Sequence, residues 1–440
     1  MSFASSCRWC MCFSLASAAS ALAQVSFLDS TSVALGEGDQ TPETSAIEAI
    51  DFDDDGDLDL VVARANLDLE EDPLVLLVND GMGGFSLGAS IDLRRRPLAI
   101  AVGDLNGDNL PDLVVALVAD DQVAVLLADG MDGFVGADRY DVGDAPQHVT
   151  LGDMDNENGL DIVTANRGDD TVSVLLNNGD GTYGEATNVN VLPAGGATRA
   201  EPMATAIGQF NGDTLPDIAV TLGFRDEVGV LLTDGAGMYQ EVMPFAVGRD
   251  PYDVETADLN SDTYADLVVS NRTDDTLSVL LGLEGDTFAA ATTIDDAGNG
   301  PHDLDLVDVD GDGVLDAVTA NREGDDVSVL LGDGAGGFDA ASGFGVGSGP
   351  VDVAVGDYNG DGDLDFATAN NESNLNQRDD VSVVLAGVPD DDDQMGGDDM
   401  MMDGDMVDCG LNCGPMGMAP LAFTLLGLVG MKRARRLRGS

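Results

Sequence analysis

The sequence predicts an all-β protein, a seven-bladed β-propeller of four-stranded antiparallel blades. Three observations lead to this prediction. The 440 residues include 56 glycines but only 5% aromatic residues, which is typical of short strands joined by turns. Aspartate-rich loops recur along most of the chain, 49 to 56 residues apart. Apolar residues alternate with other residues before each loop, and a period of two indicates β-strands.

The loops define seven repeat units, whose loops begin at Asp51, Asp104, Asp153, Gln209, Asp258, Asp308 and Asp357. A proline stands seven positions before six of them, at Pro97, Pro146, Pro202, Pro251, Pro301 and Pro350. Spacing this regular indicates a repeat protein in which each unit is one supersecondary structure.

Each unit contains four predicted strands. The first leads into the aspartate-rich loop, the second follows it, and the third reads Val-x-Val-Leu-Leu, as at residues 123–127. A Gly-rich turn then ends in an aromatic residue that opens the fourth strand: Phe85, Phe134, Tyr183, Tyr239, Phe288 or Phe338. Four short antiparallel strands per unit are typical of a propeller blade.

The two ends of the repeat region complement each other. The seventh unit stops where an acidic segment begins near residue 389, and it lacks a fourth strand. Residues 25–35 precede the first unit and carry Phe27 where an aromatic residue opens a fourth strand. We therefore expect the N-terminal strand to complete the last blade and close the ring, which removes an exposed strand edge.

The segments outside the repeats have compositions that are typical of targeting sequences. Residues 1–23 contain no acidic residue, include an apolar and small-residue stretch from Trp9 to Ala23, and end in Ala21-Leu22-Ala23, which predicts a secretory signal peptide; a short buried apolar segment is the alternative. Residues 24–388 then form the propeller. Residues 389–414 form an acidic disordered stalk with Cys409 and Cys413, and residues 415–440 an apolar helix with an Arg-rich end.

This C-terminal layout resembles bacterial sorting signals of the MYXO-CTERM or PEP-CTERM kind, which have a short signature, an apolar helix and an Arg-rich end. The resemblance implies cleavage by a membrane protease and delivery to the cell surface; a permanent membrane anchor is the alternative. In both cases we expect a secreted monomer on the outer face of a bacterial envelope.

The charge excludes one class of partner. There are 82 acidic and 18 basic residues, a net charge of -64, so phosphate backbones repel the protein and it does not bind nucleic acids. The chain has two histidines, and no cysteine lies between residues 24 and 388. Neither a Ser-His-Asp nor a Cys-His catalytic site can be identified from these residues.

The loops carry oxygen ligands at positions 1, 3, 5 and 9, with a backbone carbonyl expected at position 7. Hard oxygen ligands in this number suit calcium. Position 12 lacks the glutamate of an EF-hand, so we expect the ninth-position aspartate to take that role. The candidate ligands are Asp51, Asp53, Asp55, Asp57 and Asp59; Asp104, Asn106, Asp108, Leu110 and Asp112; Asp153, Asp155, Glu157, Gly159 and Asp161; Asn211, Asp213 and Asp217; Asp258, Asn260, Asp262, Tyr264 and Asp266; Asp308, Asp310, Asp312, Val314 and Asp316; and Asp357, Asn359, Asp361, Asp363 and Asp365.

The seven loops differ in charge, so up to seven calcium sites of unequal strength are expected. The second, fifth and seventh loops replace the third-position carboxylate by asparagine, and the third loop uses Glu157 at position 5. The fourth loop begins with Gln209 and keeps two carboxylates, Asp213 and Asp217. We expect the fourth site to be the weakest.

From Val25 to Val388 the chain resembles the FG-GAP or VCBS repeat proteins, built like the propeller of integrin alpha subunits. The resemblance rests on the seven aspartate loops and on Gly-rich turns that end in an aromatic residue, such as 333–338. It implies calcium in the hairpin between the first and second strands, and ligands on the opposite face.

On that opposite face, the loops between second and third strands repeat an Asn-Arg pattern that contains Arg167, Arg272 and Arg322. These arginines are candidates for bidentate binding of an anionic or sugar carboxylate group. The alternative is that neighbouring aspartates neutralise them. Function is therefore predicted as a cell-surface calcium-binding module for a glycan or protein ligand. A calcium-dependent polysaccharide lyase or hydrolase on the same scaffold is the alternative.

Overall fold

The computed structural model describes residues 27–28, 30–35, 43–65, 73–93, 96–131, 133–193, 198–233, 238–285, 287–371 and 380–387. The predicted signal peptide, stalk, cysteine pair and C-terminal helix lie outside the described residues. No helix long and apolar enough to cross a membrane occurs in the part that is described.

Seven four-stranded antiparallel sheets and no helix make up the described residues, which confirms the predicted all-β propeller. The first three blades contain β2 (Glu43–Ile50), β3 (Asp59–Ala65), β4 (Pro73–Asn79) and β5 (Phe85–Asp92); β6 (Pro97–Gly103), β7 (Asp112–Leu117), β8 (Gln122–Ala128) and β9 (Phe134–Asp141); and β10 (Pro146–Gly152), β11 (Asp161–Asn166), β12 (Thr171–Leu175) and β13 (Thr187–Asn190). The fourth and fifth contain β14 (Pro202–Gly208), β15 (Asp217–Leu222), β16 (Glu227–Leu231) and β17 (Met243–Ala246); and β18 (Pro251–Ala257), β19 (Asp266–Asn271), β20 (Thr276–Leu280) and β23 (Thr292–Ile294), with the small hairpin β21 (Gly282–Leu283) and β22 (Thr287–Phe288). The last two contain β24 (Pro301–Val307), β25 (Asp316–Asn321), β26 (Asp326–Leu330) and β27 (Ser342–Gly345); and β28 (Pro350–Gly356), β29 (Asp365–Asn370), β30 (Asp380–Val384) and β1 (Thr31–Ala34).

The position of a strand within its blade explains its sequence. The second strand packs against blades on both sides, so all six residues of β7 and of β25 are buried and the sequence is almost continuously apolar. The fourth strand lies at the outer rim, and most of β5 and β9 is exposed. The first strands line the central channel, and each one contacts the first strands of both neighbouring blades.

Buried asparagines fix the register at the far end of the second strand in the third, fifth, sixth and seventh blades. Asn321 Nδ2 donates to Asp326 Oδ1 at 2.9 Å and to Ser328 Oγ at 2.8 Å on the adjoining third strand. Asn166, Asn271 and Asn370 make the same contact to a serine in their own blades. The asparagine of the Asn-Arg pattern therefore supports the blade, while the arginine that follows it reaches the surface.

The N-terminal strand closes the ring as predicted. β1 pairs antiparallel with β30, from Thr31 opposite Val383 to Ala34 opposite Asp380. Phe27 extends this pairing through a bridge to Ala386, and its ring lies 4.6 Å from Phe344 and 4.7 Å from Phe366. The last blade thus contains strands from both ends of the repeat region, which ties the two ends together.

A chain that starts at Thr41 should expose the edge of β30 and lose the Phe27 contacts. We expect a lower melting temperature and association between molecules, which differential scanning calorimetry and light scattering would measure. Phe27→Ala should lower the free energy of unfolding by about 2 kcal/mol, because it removes a large apolar contact. Phe224→Ala, at a ring that is 61% exposed, is the control. A shortened chain that is monomeric and equally stable would contradict the closure of the ring.

Candidate metal centres and the opposite face

The aspartate loops join the first and second strands at one end of every blade, and their backbone forces the side chains to converge. Position 4 is left-handed in all seven loops, at Asp54, Gly107, Asn156, Gly212, Ser261, Gly311 and Gly360. Position 6 is left-handed in six, at Gly56, Asn109, Asn158, Thr263, Gly313 and Gly362. A β-branched residue seldom adopts this conformation, so Thr263 at φ 77° marks how strongly the loop requires it.

The sixth loop shows how the carboxylates are held. Asp308 accepts the Asp312 N–H at 3.0 Å and the Gly313 N–H at 2.8 Å. Asp310 also accepts the Asp312 N–H, at 3.1 Å, and Asp312 accepts the Val314 N–H at 2.8 Å. A carboxylate has about four acceptor sites, so these oxygens can still bind a cation.

The ninth-position aspartate has a structural role that the sequence did not predict. Asp316 is 1% exposed, and its two oxygens accept the Val309 N–H at 2.8 Å and the Gly332 N–H at 2.7 Å. It therefore ties the loop to the end of the third strand. Burial raises the pKa of Asp316, and it raises the pKa of Asp161 and Asp365 to about 6. A nearby cation would offset this cost of burying charge.

Three loops bring carboxylate oxygens from positions 1, 3 and 9 within 4.8 Å of one another. The groups are Asp51, Asp53 and Asp59; Asp153, Asp155 and Asp161; and Asp308, Asp310 and Asp316. In the first, Asp51 Oδ1 is buried without a hydrogen-bond partner, which is rare unless an ion or water completes the site. The ligand atoms in these groups are all carboxylate oxygens, so these residues fit calcium.

The other predicted ligands are arranged less tightly. The second, fifth and seventh loops place Asn106, Asn260 and Asn359 at position 3, where each amide oxygen accepts the N–H of position 5 at 2.9 Å. The residue at position 5 is exposed in all seven loops. In the first, second and fourth to seventh loops, its carboxylate also accepts the N–H of position 7. In these six loops, position 5 thus supports the loop backbone at the solvent side of the site.

The fourth loop contains hydrogen-bond donors of its own among the oxygens. Gln209 Nε2 donates to Asp213 Oδ1 at 3.1 Å and to the Leu215 carbonyl, the position-7 oxygen, at 3.4 Å. Asn211 Nδ2 donates to Asp213 Oδ2 at 2.9 Å. Two neutral amides thus occupy the acceptors that a cation would need, which is a physical reason for a weak fourth site.

At the opposite end of the blades, the three predicted arginines line two separate cavities. Arg167 lies with Arg96 and Arg199 around a cavity of about 410 Å³, and Arg272 and Arg322 line one of about 670 Å³. Arg167 forms an ion pair with Glu201 at 2.9 Å, and Arg272 with Asp250 at 2.7 Å. Both partners come from the loop before a first strand, not from the aspartates that follow each arginine.

Asp312→Ala and Asp213→Ala change the same loop position but should differ in their response to calcium. Asp312→Ala should weaken calcium binding to the sixth loop more than about tenfold, or about 1.4 kcal/mol, because a charged ligand is lost. Asp213→Ala should cost about 1 kcal/mol through lost hydrogen bonds, equally with and without calcium. Calorimetric melts in calcium and in chelator measure both. Equal calcium responses would contradict the ranking of the loops.

Gln209→Asp should convert the fourth loop into a calcium site, because it replaces the amide donor by a carboxylate. We expect one more bound calcium ion per chain by equilibrium dialysis. In chelator the variant should be less stable by about 1 kcal/mol, since the Gln209 hydrogen bonds are lost. Gln240→Asp, at an exposed glutamine outside the loop, is the matched control. An unchanged ion count would show that more than the amide disables this loop.

Comparisons with known proteins support this description of the fold. A family model for the FG-GAP-like repeat matches residues 51–115 and 308–368. A comparison with curated protein sequences gives no match. Virginiamycin B lyase from Staphylococcus aureus has a TM-score of 0.54 at 12% identity, over 82% of this chain and 99% of that one. A streptogramin B lyase has 0.54 at 12%, over 82% and 98%. A protein from Lactobacillus plantarum has 0.52 at 16%, over 71% and 87%.

At these identities the similarity to solved structures shows the fold alone. The family match is more specific, because residues 51–115 and 308–368 contain the first, second, sixth and seventh aspartate loops. The chain therefore carries FG-GAP-like repeats on a seven-bladed β-propeller.

Proposed function

We propose that this protein is a secreted, cell-surface propeller that calcium stabilises and that binds a glycan or protein ligand on the face opposite the calcium loops. The observation that carries the calcium part is the convergence of three carboxylates within 4.8 Å in the first, third and sixth loops. When bound there, calcium supplies positive charge that offsets repulsion between the carboxylates, so its binding adds to the stability of the fold.

For the ligand we favour the cavity lined by Arg96, Arg167 and Arg199. One carboxylate, Glu201, pairs with both Arg167 and Arg199, so basic groups outnumber acidic ones in this contact. In a protein with a net charge of -64, such a site offers guanidinium groups to an acidic sugar or peptide carboxylate.

Phe224 adds an aromatic surface at the same place. Its ring is 61% exposed and lies 5.1 Å from the Arg199 guanidinium carbon. An exposed ring beside a guanidinium group can pack against the apolar face of a sugar while the arginine binds its polar groups. This combination supports a glycan ligand over an extended peptide.

The histidines offer less support for the lyase or hydrolase alternative, because both take part in contacts between blades. His148 Nδ1 accepts the Thr205 N–H at 3.3 Å, and His302 Nδ1 lies 2.7 Å from the Val351 carbonyl oxygen. Burial lowers the pKa of His148 to about 4 and that of His302 to about 3. These contacts give both histidines a role in the packing between blades, which accounts for their presence in the channel without catalysis.

A glycan array in calcium, with an assay for cleaved products, tests the proposal. Arg199→Gln and Phe224→Ala should each weaken binding to the recognised glycan about tenfold, or about 1.4 kcal/mol, without changing the calcium-dependent melt. Arg249→Gln is the control, since Arg249 is exposed, pairs with Asp274 and lines neither cavity.

Three results would contradict parts of this proposal. Loss of binding in Arg322→Gln but not in Arg199→Gln would move the ligand to the larger cavity. Product formation from a polysaccharide would favour the enzyme. An identical melt in calcium and in chelator would remove calcium from the fold.

A further inference from the structure

A cavity of about 670 Å³, which we call the rim cavity, opens between the fourth strands of the second and third blades. Tyr140 and Asp141 of β9 line one side of it, and Tyr183, Glu185 and Asn188 of the third blade line the other. It shares no lining residue with the two arginine cavities or with the cavity of the central channel. The rim cavity is therefore a separate site, for which neither the aspartate loops nor the arginines account.

Tyr140 departs from the repeat at this place. It stands opposite Val123 in the register of the third and fourth strands. The corresponding residue of every other blade is apolar: Val33, Ile91, Val189, Phe245, Ile294 and Phe344. The hydroxyl of Tyr140 has no hydrogen-bond partner among the described residues, whereas the neighbouring Tyr183 hydroxyl donates to the Leu160 carbonyl at 2.9 Å. Packing of the blade requires an apolar side chain here, so it does not explain the hydroxyl group.

The other polar side chains of the rim cavity leave both donors and acceptors available. Asn188 Oδ1 accepts the Ser173 hydroxyl at 2.9 Å, and the Asn188 Nδ2 group has no acceptor within the described ranges. Gln122 Nε2 donates to Asp141 Oδ1 at 2.7 Å, which leaves the second Asp141 oxygen as an acceptor. Glu185 is exposed and offers two more acceptors. Polar groups that surround an aromatic ring in a cavity are typical of a site that orients a polar ligand.

The charge of the rim cavity decides the class of ligand. Arg139 also lines it, but this guanidinium group pairs with Asp120 at 3.1 Å and donates to the Leu93 carbonyl. Asp141 and Glu185 form no ion pair in the part of the chain that the structure describes. The cavity is therefore negatively charged, in a protein with a net charge of -64, and it repels anionic ligands.

We propose that the rim cavity binds one neutral pyranose unit of a glycan. The apolar face of the sugar ring packs against the ring of Tyr140, which offers an apolar body and a polar hydroxyl group together. Sugar hydroxyls donate to Asp141 and Glu185 and accept from Asn188 Nδ2. This inference goes beyond the proposed function, because it adds a second site with the opposite charge preference, and it does not rest on the arginine cavity.

The test measures binding of maltotriose, cellotriose and mannotriose, which are neutral, to the full chain by isothermal titration calorimetry. At least one of them should bind the wild type. Tyr140→Ile introduces the residue of the first blade and should weaken that binding about tenfold, because the ring and its hydroxyl are lost. Asn188→Asp keeps the oxygen that accepts from Ser173 but removes the donor, and should weaken binding about fivefold.

Two variants are matched controls. Phe245→Ile removes an aromatic ring at the same strand position of the fourth blade, away from the rim cavity. Asn190→Asp adds the same charge at a nearby exposed asparagine that does not line the cavity. Both should bind the trisaccharide as the wild type does. The melting temperature of Asn188→Asp should match that of Asn190→Asp, so a loss of binding reports on the site and not on folding.

Three outcomes overturn this inference. The first is that none of the neutral trisaccharides binds at millimolar concentration. The second is binding that survives in Tyr140→Ile but is lost in Arg199→Gln, which would place the sugar in the arginine cavity and support the proposed function alone. The third is tighter binding of trigalacturonate than of the neutral sugars, lost in Tyr140→Ile, which would assign an anionic ligand to the rim cavity. Failure of Arg199→Gln to weaken glycan binding would contradict the proposed function without affecting the rim cavity.

Discussion

In each of the second to seventh blades, one buried aspartate accepts backbone N–H groups at two places and so joins the aspartate loop to the third strand. In the sixth blade, Asp316 accepts one N–H from the start of its loop and another from the residue that follows the third strand. Equivalent pairs of bonds are made by Asp112, Asp161, Asp217, Asp266 and Asp365. Because both contacts are to the main chain, this carboxylate sets the distance between loop and third strand. In the third and sixth loops, the carboxylates of positions 1 and 3 converge on it.

Because every blade contains several carboxylates, negative charge is concentrated in the protein. The structure compensates this charge in different ways. The first, third and sixth loops bring carboxylate oxygens together where a cation could bind, while the fourth loop satisfies Asp213 with the amides of Gln209 and Asn211. In the central channel, Asp253, Asp303 and Asp352 accept backbone N–H groups of the next blade.

The two ends of the blades therefore have different chemistry. The loops at one end are acidic and bound to their own backbone, which suits a rigid scaffold. At the other end, arginines project beyond the buried asparagines that fix the register. Arg167 and Arg199 share Glu201 beside the exposed ring of Phe224. Binding residues on loops held by a rigid scaffold are the usual arrangement in such proteins.

The sequence by itself determined the blade number, the strand order, the ring closure and the candidate loop ligands, because all of these follow from local periodicity and repeat spacing. Phe27 and the departure at Gln209 could be read directly from that register. Only the tertiary structure decided which groups meet across blades. The ion pair of Arg167 with Glu201 and the hydrogen bond from the Val353 N–H to Asp303 join residues 34 and 50 positions apart. Such contacts depend on how the blades are arranged around the channel, and no local pattern in the chain encodes that geometry.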